Sequence, residues 1–388
     1  MAGQPCGYVA NVTATLPEIE HARSAGLRYV DDTMPGITRK KIRSDFAFFS
    51  PDGKRITDDD ELRLIKSIGV PPAYEHVWIC PLPNGHVQAT ARDAKGRKQY
   101  RYHKRWREVR DENKYVSTIA FGEALPKLRE RVEKDLKLEC MSREKVIATV
   151  VRMLDDTLIR VGNESYARDN DSYGLTTLRA RHVRVIGEKR IRLKFRGKSG
   201  VEHAITIEDK RLAKTIARCR HLPGELLFSF LDDDGQAHPV QSDDVNEYLR
   251  ETMGTDFSAK DFRTFAASVI CATELEKGGV ACSIADAKHN VTAAVTVTAK
   301  RLGNTPTVCR KSYVHPAVIE TYLDELRLEL PTIRATGEAR GLDEDERRVL
   351  GFLTELGERD IGRERLARLE HTLKAAQGKR KRTRQVAA

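Results

Sequence analysis

The sequence predicts an α+β protein: a small β-rich N-terminal domain, then a larger, mainly helical domain that carries one small antiparallel β-element. Three observations predict it. Short aromatic and β-branched runs, punctuated by tight turns, crowd the first hundred residues. Apolar residues at helical spacing dominate from about residue 115 onward. Period-two alternation then returns once, between Leu175 and Ile207.

Taken in order, Asp59–Ile68 spaces Leu62, Ile65 and Ile68 for a helix. Tyr74–Cys80 reads as a strand, Pro81–Gly85 (PLPNG) as a turn ending in Asn-Gly, and His86–Thr90 as the returning strand. Asp93–Gly96 is another tight turn, followed by the basic, aromatic run Arg97–Trp106 (RKQYRYHKRW). In strand geometry Tyr100 and Tyr102 share one face, with Lys98 and Lys104 in line with them. Leu125–Leu138 and Arg143–Arg160 repeat apolar positions at helical spacing. Three strand-like runs follow, Leu175–Ile186, Arg190–Arg196 and Val201–Ile207, joined by Gly187-Glu188 and by Gly197–Gly200. Helices resume to Ala376, Gly378 serves as a stop, and Lys379–Arg384 (KRKRTR) opens a polar tail. The predicted domains are 1–112 and 113–378, with a basic disordered tail over 379–388.

Charge identifies the class of partner. The 388 residues carry 68 Lys+Arg against 57 Asp+Glu, a net charge of +11. Arg92–Arg110 alone nets +7 and His371–Ala388 nets +6, so the remaining sequence is close to neutral. Two local cationic features of this kind point to nucleic acid. No run reaches the ~18 uninterrupted apolar residues of a membrane helix, and the first thirty residues lack a signal pattern. The seven cysteines are widely spaced, with no C-x-x-C, which argues against a disulfide framework or a zinc site and for a reduced, cytosolic setting.

The familiar nucleotide and metal motifs fail. Gly197-Lys198-Ser199 resembles the end of a phosphate-binding loop, but the glycine required five residues earlier is Arg192. Asp169–Gly174 opens like a calcium loop, but its fifth and twelfth positions are Tyr173 and Ala180. No metal ligand set and no cofactor are expected.

Four separated segments carry a coherent chemistry. They are Ile159–Tyr166 (IRVGNESY) with Ser172–Leu178 (SYGLTTL), Phe195–Gly200 (FRGKSG), Lys260–Phe265 (KDFRTF) and Gly303–Tyr313 (GNTPTVCRKSY). Each has a bland reading alone. Arg160 would complement a helix end, Lys198 would be a solvated turn residue, Arg263 would pair with Asp261, and Tyr313 would pack. Asn304 would simply precede a helix.

Together they resemble the type IB DNA topoisomerases, in the short form of poxviruses and many bacteria, from about Leu27 to Tyr322. The resemblance implies that Tyr313 is the nucleophile, with Arg160, Lys198, Arg263 and Asn304 completing the site and Lys260 near the leaving group. It also implies that Gln99, Tyr100 and Tyr102 contact DNA near the cleavage site, so that two domains form a clamp around the duplex. Lys98 and Lys104 extend that contact. An ATP- and metal-independent monomer acting on duplex DNA follows, cytoplasmic and nucleoid-associated. One strand would be nicked through a 3′-phosphotyrosyl link, the duplex would swivel, and the nick would be resealed. The poxvirus members have histidine where this chain, like many bacterial members, has Asn304; an amide cannot shuttle a proton, so the role implied for Asn304 is hydrogen bonding. A tyrosine recombinase, which shares the Arg/Lys/Arg/Tyr chemistry, is the first rival, although it usually has H-x-x-R where this chain has Lys260–Arg263. A non-catalytic DNA-binding protein is the second.

The residue types suit that chemistry independently. Phosphoryl transfer develops charge on the phosphate oxygens, and guanidiniums are planar, always-protonated forks matched to them. A phenol must lose a proton to attack, which cationic surroundings favour. A departing 5′-oxygen needs a proton that a lysine can donate.

Overall fold

The computed structural model describes Ile19 and residues 22–359, apart from 44, 95, 255–256 and 334–340. For 107–116 and 165 only the helical backbone is described. The predicted stop at Gly378 and the tail over 379–388 lie outside the described residues. The chain divides into two compact units, Met1–Val116 and Ser117–Ala388.

The first unit is built on an antiparallel five-stranded sheet in the order β2-β1-β3-β4-β5. The strands are β1 (Ile37–Ile42), β2 (Asp45–Phe49), β3 (Glu75–Ile79), β4 (Val87–Arg92) and β5 (Lys98–Tyr102). Helix α1 (Asp59–Ser67) starts where the Asp58 carboxylate accepts from the Glu61 amide, and it buries Ile65. The core beneath it gathers Ile37, Phe48, Ile56, Ile65, Val77, Ile79, Ala89 and Ala91.

The sequence reading needs one addition and one correction here. The hairpin β1–β2 had no counterpart in the sequence reading. In β1 only Ile37 is buried, and in β2 the two buried residues, Ala47 and Phe48, are adjacent, so neither strand alternates cleanly enough to show a period of two. The run Arg97–Trp106 is not one strand. β5 ends at Tyr102, and helix α2 (Lys104–Asp135) begins two residues later, so Lys104 leaves the strand line.

The second unit is mainly helical. Besides the rest of α2 it contains α3 (Arg143–Thr157), α4 (Glu164–Asn170), α5 (Lys210–Cys219), α6 (Ser242–Met253), α7 (Ala259–Gly278), α8 (Ile284–Leu302), α9 (Pro306–Ser312) and α10 (Pro316–Glu325). A further helical stretch covers 344–359. A three-stranded antiparallel meander, β6 (Val183–Ile186), β7 (Arg190–Arg196) and β8 (Glu202–Glu208), turns Ile191, Leu193 and Phe195 into the core. A short pair, β9 (Ser229–Leu231) and β10 (Ala237–Pro239), completes it.

The predicted strand Leu175–Ile186 is largely not a strand. Single 3₁₀ turns occupy Leu175–Thr177 and Ala180–His182, and only Val183–Ile186 pairs. Leu175, Thr176, Thr177 and Leu178 are all buried, so both faces of this segment are covered. The Gly174 amide donates to Thr177 Oγ1 at 2.9 Å, a local bond that competes with a ladder. Among the described residues no helix is long and apolar enough to cross a membrane.

One aromatic cluster holds α2 to α7. Phe121 is fully buried, with its ring centroid 5.4, 5.1 and 6.1 Å from those of Phe257, Phe262 and Phe265. Phe121→Ala is expected to lower unfolding free energy by about 3–5 kcal/mol in a denaturant titration, the range for deleting a core aromatic. A loss under about 1 kcal/mol would mean that the cluster is not a structural joint.

Candidate active site

The site is assembled at three helix ends and one tight turn. α3 starts at Ser142, whose hydroxyl accepts from the Lys145 amide, and stops at Leu158, which adopts the left-handed conformation at φ 57°. Arg160 follows two residues later. Its carbonyl accepts from the Leu175 amide at 2.9 Å, and the Val161 carbonyl accepts from Thr176 at 2.7 Å. This pairing requires close approach of two glycines. A Cβ on Gly174 would lie 2.5 Å from Gly162 Cα and 2.6 Å from the Arg160 carbonyl. The glycines of the IRVGNESY and SYGLTTL segments therefore fix the Arg160 backbone.

α7 starts at Ser258, whose amide donates to Asp261 Oδ2 at 2.8 Å. Asp261 thus closes the helix terminus. Arg263, one turn in, is buried. Its Nη1 donates to the Leu158 carbonyl and its Nη2 to the Leu302 carbonyl at 2.8 Å. α8 ends at Gly303, in the left-handed conformation at φ 62°. Asn304 comes next, Thr305 caps α9 by accepting from Val308, and Pro306 takes the first helical position. Tyr313 ends α9 outside helical geometry, its amide bonded to the Cys309 carbonyl at 2.9 Å.

Four of the predicted residues meet. Arg160 Nη2 donates to Asn304 Oδ1 at 2.5 Å. The Arg263 guanidinium lies 5.1 Å from the Tyr313 ring centroid. Arg263 Nε and Asn304 Nδ2 are buried and have no hydrogen-bond partner among the described residues. Burial alone would push the Tyr313 phenol up. The charges of Arg263 and then Arg160, with the Arg263 and Asn304 side chains facing its hydroxyl, hold it below the ordinary phenol value. Burial, and then Arg160, lower the Arg263 pKa in turn. A partly buried phenol beside two guanidiniums and two unspent N–H donors is suited to receiving an oxyanion.

Both lysines predicted for this site are exposed. Lys198 is exposed on the turn Lys198–Gly200, where Ser199 has φ 63°, and its Nζ lies 5.9 Å from the Tyr166 ring centroid. Lys260 is exposed in the first turn of α7. The turn reaches the site through a residue that sequence reasoning missed, His203. It is the cross-strand partner of Phe195 and stacks on it at 4.8 Å. Its signal was present: two positions after Val201, it shares the inward face of β8 with Ile205 and Ile207.

In the first unit, Lys98 Nζ pairs with Asp32 at 2.7 Å and lies 5.4 Å from the Tyr100 centroid. Gln99 Nε2 donates to Asp93 at 3.0 Å. Tyr100 and Tyr102 stack at 5.8 Å, with Tyr100 47% exposed and Tyr102 packed against Trp106 and Val87. Lys98 and Gln99 are thus held by carboxylates, and Lys104 has moved onto α2. A second cationic surface went unnoticed in the sequence. Arg181, His182, Arg184, Arg192 and Lys194 line one concavity, with Arg184 directly opposite Arg192 across the β6–β7 ladder.

These features gather a partly buried tyrosine, two guanidiniums and a carboxamide into one site. The comparisons with known proteins make the class specific. Residues 103–334 match the family described as eukaryotic DNA topoisomerase I, catalytic core, and residues 45–93 match the bacterial DNA topoisomerase IB N-terminal domain. DNA topoisomerase 1B of Acanthamoeba polyphaga mimivirus is 33% identical over 296 residues, covering 74% of this chain and 88% of the viral protein. DNA topoisomerase 1B of vaccinia virus (strain Copenhagen) is 23% identical over 305 residues, covering 73% and 92%. DNA topoisomerase 1 of Mycosarcoma maydis is 29% identical over 176 residues, 41% of this chain and 17% of the fungal one. The chain belongs to the type IB DNA topoisomerases. It is an isomerase whose substrate is DNA.

The segment behind Tyr313 sets a pH dependence of stability. His315 caps α10, its Nδ1 accepting from the Ala317 amide at 3.2 Å, and burial lowers its pKa to about 4. The unfolded chain takes up this proton near pH ~6.5. As pH falls from 6.5 towards 4 the unfolded state binds more protons, so stability present above that window is lost, by about 3 kcal/mol for this group. Asn caps a helix without titrating. The stability difference between wild type and His315→Asn, from denaturant titrations at pH 7 and pH 4.5, should therefore move against the wild type as pH falls. A pH-independent difference would contradict it.

Proposed function

We propose that this topoisomerase cleaves one strand of duplex DNA by direct attack of Tyr313 on a phosphodiester, through a 3′-phosphotyrosyl intermediate. The observation that carries the reading is that Arg160, Arg263 and Asn304 converge on a tyrosine whose phenol is held below its ordinary pKa despite burial. Tyr313 Oη forms a bond to phosphorus as the bond from phosphorus to the 5′-oxygen breaks. Arg160 and Arg263 bind the non-bridging oxygens, whose charge grows in the transition state. Asn304 Nδ2, buried and unspent, donates to one of them. The phenolic proton leaves to solvent, and Lys198 protonates the departing 5′-oxygen as general acid. Lys260 stands near the leaving group as a secondary cation.

The intermediate exchanges one phosphodiester for another. The free 5′-hydroxyl then attacks phosphorus and restores the strand with no ATP. Between the two steps the duplex swivels and supercoils relax. The arginines supply the positive charge that a metal ion gives elsewhere, so the reading requires no divalent cation. Tyr100 and Tyr102, with Lys98, Gln99 and Lys104, offer the N-terminal contact to the duplex. Lys98 and Gln99 would exchange Asp32 and Asp93 for phosphate on binding. The chain acts as a monomer around one duplex.

Tyr313→Phe should retain DNA binding within about twofold and lose plasmid relaxation entirely, because one atom, the nucleophile, is removed. Relaxation by that variant would show that the nucleophile is another residue. Wild-type enzyme should relax plasmid in excess EDTA without ATP, and a strict requirement for either would remove the metal- and ATP-independent mechanism. Lys198→Ala should slow single-turnover cleavage by roughly 10²–10⁴-fold, the range for losing a positioned acid. The defect should vanish on a substrate with a 5′-bridging sulfur, whose thiolate leaves unprotonated. A defect equal on both substrates would remove Lys198 as the acid.

A further inference from the structure

Lys198 lies on an exposed turn, whereas Arg160, Arg263, Asn304 and Tyr313 lie on helix ends. A general acid acts only at a set distance from its oxygen, so something must fix the turn against those ends. A backbone bond from Tyr173 to the Arg196 carbonyl, 2.8 Å, ties β7 to the Arg160 side of the site. On the Asn304 side the link is made by the ring of His203.

The ring is enclosed on three sides. Its face stacks on Phe195, centroids 4.8 Å apart and planes 15° apart. One edge lies against Gly197, where a Cβ would sit 2.6 Å from both Cδ2 and Nε2. The next lies against Gly303, where a Cβ would sit 3.1 Å from Cε1. Gly197 directly precedes Lys198, and Gly303 directly precedes Asn304. Gly303 has a backbone reason to be glycine, since it ends α8 at φ 62°. Gly197 has none, for its φ of −95° and ψ of −170° suit any residue. The space taken by the His203 ring accounts for the glycine at 197.

We propose that His203 is a positioning residue: by filling the space between Gly197 and Gly303 it sets the Lys198 turn against Asn304. The proposal rests on Lys198 being the general acid. Burial and then Arg160 and Arg263 lower the His203 pKa, with Glu202 opposing, which keeps the ring neutral beside the arginines. Its place is therefore steric and not a third site charge.

The role separates from mere stability by its dependence on the leaving group. His203→Ala should slow single-turnover cleavage of an ordinary duplex by roughly 10- to 100-fold, the scale for a misplacement of about 1 Å. On the 5′-bridging-sulfur substrate the same variant should be within about twofold of wild type, because no acid is needed. DNA binding, measured with Tyr313→Phe as background, should be unchanged. Gly197→Ala should slow cleavage of the ordinary duplex comparably, since its methyl displaces the ring. In the His203→Ala background Gly197→Ala should add less than about twofold, because the methyl then has room.

Lys198→Ala is run on both substrates as the control. If sulfur fails to rescue Lys198→Ala, the assignment of the acid has failed, and this proposal with it. If sulfur rescues Lys198→Ala but not His203→Ala, the proposal alone is overturned. Additive effects of Gly197→Ala and His203→Ala, or loss of DNA binding in His203→Ala, would overturn it as well.

Discussion

A buried guanidinium organises this site. Placing a charge out of water costs several kcal/mol unless its hydrogen bonds are met, and Arg263 meets two of them with main-chain carbonyls. One is Leu158, at the end of α3; the other is Leu302, at the end of α8. Helix C-termini present unsatisfied carbonyls and a partial negative charge, so the cation is stabilised where it also joins two helices. The residues just beyond those ends are Arg160 and Asn304. The side chain that faces Tyr313 is therefore also the staple that brings its neighbours to it.

Two kinds of cation result. Arg160 and Arg263 are held by bonds to Asn304 and to the backbone, and their charge is preorganised. Lys198 is exposed, on a short turn, with a flexible stem. On the proposed mechanism that division suits the chemistry. The arginines meet oxygens that stay on phosphorus throughout, whereas the lysine meets an oxygen that leaves and returns. The price is that the lysine must be placed by its surroundings, which gives weight to the ring packed between Gly197 and Gly303.

The legible parts of the sequence were those with local causes. Gly303, Thr305 and Pro306 spell a helix stop, a cap and a first-turn proline, and the structure ends α8 and starts α9 there. The hairpin β7–β8 alternates cleanly because one face is core and the other solvent: in β7, buried Ile191, Leu193 and Phe195 alternate with exposed basic residues. The illegible parts had non-local causes. Leu175–Leu178 is covered on both sides, which mimics a buried strand until Arg160 and Val161 are seen to take its amides. The cations of Arg97–Trp106 are contiguous in sequence but split between a strand and a helix. Those around Arg184 and Arg192 lie on two strands of one hairpin and become a single surface only once the ladder register sets them opposite. His203 belongs to none of the four motif segments; its alternation with Ile205 and Ile207 marks only an inward position, and the two glycines that make room for its ring reveal its place.

The central claim is that the phenol of Tyr313 joins the 3′ side of the broken strand. The most direct measurement is to stop the reaction with detergent on a duplex labelled 3′ or 5′ of the nick, digest the adduct with trypsin and sequence the DNA-linked peptide by mass spectrometry. The predicted result is a single peptide modified at Tyr313, carrying the strand that ends in a 3′-phosphate, with a free 5′-hydroxyl on the other fragment. A 5′-phosphate link, modification of a different tyrosine, or no covalent peptide would contradict it.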